Sequence, residues 1–273
     1  MGFLDPVLVA ELLLLGVCTG FLAGLLGVGG GMLMVPFLTM ILTHRGVATG
    51  LAVKMAIATA MTTILFTSMA SVRAHQKRGA VRWDIVRHMA PGIIVGGLIA
   101  GIGVFALIKG SALALAFAGF VSFSAVQMLR GRKPAPTRQM PGAWGSGAAG
   151  GVVGFVSGLV GAGGAFISVP FMTWCNVPIH LATGTSAALG FPIAAANTVG
   201  YIVGGWGLDT GVPGSLGFVV VPAMAVISVA SVITAPMGAK VAHSLDIAQL
   251  KRVFAVLLFS LAGYMAWRAL FQA

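Results

Sequence analysis

Eight stretches of this chain run for 18 residues or more with almost no charge: 6–26, 55–72, 89–108, 112–129, 142–161, 182–206, 214–236 and 253–271. Runs of that length cross about 30 Å of hydrocarbon as helices, the form in which a segment satisfies its own backbone hydrogen bonds. Only 8% of the 273 residues are charged, against about 25% in a soluble domain, so this surface cannot face water all round. The chain reads as an all-α, polytopic, multi-pass membrane protein with the lipid bilayer as its first partner. The run at 6–26 follows MGFLDP, which has no basic residue, and reads as a retained span rather than a signal peptide.

The net charge is +11, but the basic residues lie between the apolar runs. Arg73, Lys77, Arg78, Arg82 and Arg87 form one cluster; Arg130, Arg132, Lys133 and Arg138 form another. Basic loops beside spans mark the cytoplasmic side, so nucleic acid is excluded as a partner. Cys18 and Cys175 sit singly in apolar segments and imply neither a disulfide framework nor a metal site.

Two of the spans contain a glycine knot. Gly24 to Phe37 reads GLLGVGGGMLMVPF, and Gly158 to Phe171 reads GLVGAGGAFISVPF, identical at eight of fourteen positions and 134 residues apart. The chain is therefore a tandem repeat: residues 1–132 form the first membrane repeat, 133–141 a basic cytoplasmic linker, and 142–273 the second repeat. The apolar run after the first knot, Met32 to Leu42, is too short for a regular span. It either re-enters, giving four crossings per half and parallel repeats, or crosses as a broken helix, giving five and inverted repeats.

Loop charge discriminates between the two. Ten crossings with inverted halves put twelve of the sixteen Lys and Arg residues inside and leave four outside; eight crossings give ten and six. The uneven split is the expected one, so the reading is two inverted repeats of about five crossings each, with Gly-broken helices in each half. Pro91 and Pro222 are expected to open matching spans.

Backbone without helical bonds survives at membrane depth only where protein buries it or water lines it. Each knot is expected to end one helix, unwind and start a half-helix, with Pro36 and Pro170 in the new first turn. Unpaired N–H groups at such a start make an anion site with no charged side chain. The candidate substrate-binding residues are Gly29, Gly30, Gly31, Gly163 and Gly164, with Thr59, Thr63, Thr185, Ser186 and Asn197 from the following helices. Gly16, Gly20 and Gly24 have the spacing of a helix-packing face instead. Pro192 is expected to break the helix between Ser186 and Asn197 and free the carbonyl of Ala188.

Five carboxylates in the whole chain leave little to hold a cation. Lys54 and His180 stand five residues before Thr59 and Thr185 and, with Glu11, are candidates for gating or coupling. Each also reads as an interfacial side chain whose head reaches water. No Lys-Ser/Thr follows either knot, no strand precedes it, and there is no G-x-S-x-G, H-E-x-x-H or carboxylate pair in a span. Neither an enzyme nor a cofactor is expected.

The duplicated G-x-x-G-x-G-G-x-x-x-x-V-P-F, the TGTS of Thr183 to Ser186 and SVRAHQKRGAVRWDIV (Ser71 to Val86) resemble the sulfite exporter (TauE/SafE) family over nearly the whole chain. The resemblance implies a secondary transporter for sulfite, sulfonates or related organosulfur anions in the bacterial inner membrane, working by alternating access. An anion channel sharing the same site is the alternative, and a homo-oligomer is compatible with either. The chain departs from the family at Thr59-Ala60, where Thr-Ser is common in both halves, so a symmetrical site would lack one hydroxyl.

Overall fold

The computed structural model describes residues 5–26, 30–130, 138–241 and 247–271. Gly29 and most of the linker, 131–137, lie outside the described residues. Ten helices follow one another within them. The first five are α1 (Pro6–Leu26), α2 (Gly31–His44), α3 (Thr49–Gln76), α4 (Trp83–Leu107) and α5 (Gly110–Arg130). The second five are α6 (Ala143–Val160), α7 (Ala165–Trp174), α8 (Ile179–Gly204), α9 (Val221–Val241) and α10 (Ile247–Phe271). Eight are long and apolar enough to cross a membrane, and α2 and α7 are the short ones. The same order of long and short helices thus occurs twice.

Three expectations need correcting. The run at 214–236 does not enter as helix: Ser215–Leu216 (β1) and Val219–Val220 (β2) pair antiparallel first, and α9 starts at Val221. Gly214 and Gly217 take left-handed backbone there, Gly217 in the turn between the two strands. Pro91 does not open a span; α4 begins at Trp83 and carries Pro91 in its interior. Its first turn keeps Asp84 and Arg87 exposed, so the helix outruns its apolar stretch. Finally, α2 and α7 begin at Gly31 and Ala165, which places Pro36 and Pro170 one turn deeper than the first turn. There the rings deny a hydrogen bond to the carbonyls of Met32 and Phe166.

Contacts between helix ends give each helix a direction. An ion pair between Arg45 and Asp5 brings the end of α2 to the start of α1. Lys54 Nζ donates to the Ala106 carbonyl at 2.7 Å, and Arg268 donates to Thr43 Oγ1, so α3 starts and α4 and α10 finish at this same Arg45 end. At the opposite end Gly184 of α8 packs on Ala80, and the Arg138 N–H donates to the Trp174 carbonyl. There α6 starts beside the start of α4, Gly147 against Gly92 and Gly151 against Gly96.

Helix α1 therefore leaves from the Arg45 end and α6 from the other. The pairings survive exchange of the halves: α1 lies on α9 as α6 lies on α4, α3 on α9 as α8 on α4, with α3 against α8 and α5 against α10. Within α4 the coil widens to π geometry over Ile99–Val104, where Gly101 meets Gly200 of α8 backbone to backbone.

Candidate functional site

The two knots meet in the middle of this arrangement. A Cβ placed on Gly31 would lie 2.5 Å from the Gly161 carbonyl and 3.0 Å from Ile64; Gly163 faces the same Ile64. Gly161 in turn abuts Val35 and Ile57 of the first half. Glycine is required for different reasons on the two sides. Gly161 and Gly164 adopt φ of +70° and +76°, which L side chains rarely do, whereas Gly30 is right-handed at −72°. Gly30 is instead pressed against the Thr19 carbonyl, 2.9 Å from where its Cβ would be.

Gly30 and Gly164 are the N-caps of α2 and α7, and neither helix has a side-chain cap. The first helical bonds run from Leu33 and Met34 to the Gly30 carbonyl, and from Ile167 and Ser168 to the Gly164 carbonyl. The N–H groups of Gly31, Met32, Ala165 and Phe166 precede that ladder, so two helix starts, each worth about half a positive charge, converge here. The nearest neighbours of these glycines are apolar, hydroxyl or backbone atoms, with no charged side chain among them.

Polar side chains gather on the second half's side. Ser157 is 1% exposed, and its Oγ has no hydrogen-bond partner and lies 3.2 Å from a Cβ built on Gly164. Ser168 of α7 and Ser186 of α8 share a buried bond of 2.7 Å. Aligning the knots, Ser168 replaces Met34 and Ser157 replaces Ala23, while Ser186 replaces Ala60 in the adjoining repeat. Ser157 and Ser168 were not among the expected site residues, yet that alignment carries the signal.

Thr59 and Thr185, by contrast, are engaged with the opposite half. Thr59 Oγ1 accepts from the Val220 N–H at 3.0 Å, and Thr185 Oγ1 accepts from the Arg82 N–H at 3.0 Å. Val220 and Arg82 are the residues immediately before α9 and α4. Each threonine thus takes up a donor at the start of the other half's fourth helix, where helices lack internal acceptors. Thr63 is buried and donates to the Thr59 carbonyl.

Asn197 is fully buried, and its Nδ2 donates to the carbonyls of Ile193 and Gly154. Its Oδ1 has no partner. Pro192 does not break α8 as expected: the helix runs on from Ile179 to Gly204 with the proline inside it, between Ser186 and Asn197.

The gating candidates separate to the two ends. Glu11 is 3.8 Å from Arg45 at the first end, beside the Asp5 pair. Lys54 is half-buried there, and His180 is exposed at the start of α8 at the other. A cavity of about 440 Å³ opens among α1, α2 and α9, lined by Leu12, Leu38, Arg45, Asp209, Val220 and Ala223. It reaches Leu38, which is two turns, roughly 10 Å, from Gly31. Met34 and Leu38, both buried, lie along α2 in that interval.

A family model described as sulfite exporter TauE/SafE matches residues 12–265. The chain belongs to the TauE/SafE family. It is 34% identical over 251 residues to a probable membrane transporter protein of Haemophilus influenzae, covering 92% of this chain and 95% of that one. A probable membrane transporter protein of Methanocaldococcus jannaschii is 24% identical over 269 residues, covering 95% and 94%. No solved structure matches the chain. As a TauE/SafE protein it is a multi-pass membrane transporter.

Proposed function

We propose that the chain is a secondary transporter of small sulfur-containing anions, such as sulfite or sulfonates, in the bacterial inner membrane. The observation that carries this reading is the meeting of two uncapped helix starts, one from each half, beside the unpartnered Ser157 hydroxyl. Such a place offers donors and no counter-charge, which suits an oxyanion and repels a cation. The anion sits between the N-termini of α2 and α7, on Gly30, Gly31, Gly163 and Gly164, with Ser157 and the Ser168–Ser186 pair completing its shell. Thr59 and Thr185 serve as tethers between the halves.

Opposite starting ends for α1 and α6 support inverted repeats, with the Trp83 end and its basic loops inside. Alternating access then consists of one half rocking against the other about the joined knots. Opening from the Arg45 end requires Met34 and Leu38 to part.

Flux in proteoliposomes tests the reading: sulfite, sulfonates and chloride on one side, with and without a proton gradient. Saturable, gradient-coupled uptake of a sulfur oxyanion is expected. Conductance that no gradient drives would make the protein a channel, and no flux of any of these anions would refute the substrate class.

A further inference from the structure

A second concavity of about 620 Å³ opens at the Arg45 end, lined by Gly50, Leu51, Lys54, Gly110, Trp206 and Phe218 among others. Phe218 is 4% exposed at its floor and Trp206 is 73% exposed at its rim. Lys54 is half-buried here, and its head is engaged by protein groups rather than extended freely as an interfacial lysine's is. Its Nζ donates to the Ala106 carbonyl, capping the end of α4, and stands 5.4 Å over the Phe218 ring. That bond takes one of three N–H donors. The three ion pairs among the described residues involve Arg45 and Arg82, so no carboxylate among those residues pairs with Lys54.

A half-buried ammonium held by a carbonyl and a ring face still lacks a counter-charge, and an anion is the ligand that supplies one. Around it, Leu51, Phe218 and Trp206 offer apolar surface. We propose that this cavity binds an oxyanion headgroup, sulfonate or phosphate, on Lys54, with an apolar body lying against Phe218 and Trp206. As a loading site it rests on the anion-transport reading; as a binding site it does not. The equivalent position in the other half is His180, exposed at the start of α8, so the site belongs to one end of the molecule.

The test uses the full chain in nanodiscs, reading tryptophan emission as the difference between wild type and Trp206→Phe. Benzenesulfonate should change the Trp206 component, and methanesulfonate, lacking the apolar body, should need a higher concentration. Lys54→Gln should weaken the benzenesulfonate response about ten- to a hundred-fold, the loss of one charge-assisted bond. Lys54→Arg should keep it within a few-fold and shows that the site tolerates substitution.

Nanodiscs of phosphatidylcholine alone and with phosphatidylglycerol separate the two sources of headgroup. A response in the first that phosphatidylglycerol abolishes in wild type assigns the site to lipid; one that persists assigns it to a soluble anion. Equal responses from wild type and Lys54→Gln in both membranes overturn the proposal. In proteoliposomes Lys54→Gln should raise the apparent KM for anion added at the Arg45 end only. Absent wild-type flux would sink the transport reading while leaving the emission result to stand.

Discussion

Helix α1 rests on α9 and α6 rests on α4 in equivalent places, but the two seams are built of different chemistry. On the α6 side glycines carry nearly everything: added Cβ atoms at Gly92, Gly96, Gly150 and Gly154 would come within 1.8–2.3 Å of backbone carbonyls across the seam. On the α1 side Gly16 and Gly20 are joined by hydroxyls. Ser231 donates to the Gly16 carbonyl at 2.9 Å, Thr234 to the Val17 carbonyl at 3.2 Å, and Thr19 meets Ser231 at 3.5 Å. The first seam spends Thr19, Ser231 and Thr234 on itself. The second leaves Ser157 and the Asn197 carbonyl oxygen without partners, and with Ser228 of α9 the buried unpartnered polar atoms among the described residues all lie in the second half.

The largest effect should come from filling the glycine seam. Gly96→Ala puts a methyl 2.0 Å from the Gly151 carbonyl, and backbone cannot step aside as a side chain can. Gly16→Ala meets the Ala230 methyl at 2.7 Å and the Ile227 carbonyl at 2.9 Å. Overpacking typically costs about 1–3 kcal/mol, so Gly96→Ala should lie at or above the top of that range and Gly16→Ala near the bottom. Unfolding followed by tryptophan fluorescence in detergent checks this. Equal losses would mean that both seams are equally tight.

Next comes the pair of N-cap glycines. Gly164→Ala forces a left-handed alanine, costing about 1–2 kcal/mol, and sets its Cβ 2.5 Å from Ile193. Gly30→Ala keeps an allowed conformation, but its Cβ would stand 2.9 Å from the Thr19 backbone carbonyl, so α1 must give slightly. Transport and melting should both suffer more at Gly164. If Gly30→Ala proves the more damaging for transport alone, the first knot lies nearer the anion than the second.

Removing the hydroxyls should separate their uses. Ser231→Ala deletes an interhelical bond worth about 0.6 kcal/mol on average in membrane proteins, and should lower stability by that order. Ser157→Ala deletes a group with no partner, which is nearly neutral or stabilising for the fold. Its effect should appear in anion affinity, by about ten-fold or more, measured by calorimetry. A stability loss at Ser157 with unchanged affinity would make both seams structural.

Much of this contrast was open to a reader of the chain. The spans, the duplicated knots and the packing role of Gly16 and Gly20 follow from local pattern, because apolar length and glycine spacing are properties of single segments. The substitutions of Met34 by Ser168 and Ala60 by Ser186 already tilt the polarity toward the second half. What could not be read is which segment faces which. Thr59 and Thr185 look like path-lining hydroxyls in their own helix, and only the exchange of fourth helices between halves hands each a backbone N–H from the other. The β1–β2 hairpin hides for a similar reason: SLGFVVV is apolar enough for a span, and its glycine geometry decides otherwise.

The smallest expected effect concerns how each half closes its first two helices. Asp5, ahead of α1, pairs with Arg45 after α2. In the equivalent places Arg138, ahead of α6, donates its N–H to the carbonyl of Trp174 at the end of α7 and lays its guanidinium 4.7 Å from the ring. Only the first clasp contains a carboxylate that acid can protonate. The hydrogen bond from Arg45, followed by that from the Val7 N–H, holds the Asp5 carboxyl below its ordinary 3.8. A depressed carboxylate contributes its stability above the unfolded value and loses it as pH falls through the folded one. Melting temperatures of wild type and Asp5→Asn should therefore run parallel from neutral pH to about 4 and converge only below 3.8. The gap should be small, since the pair is partly exposed and salt-screened. Arg138→Gln should shift the whole curve without changing its acid limb. A gap between wild type and Asp5→Asn that closes between pH 7 and 5 would mean that a group other than Asp5 governs the clasp.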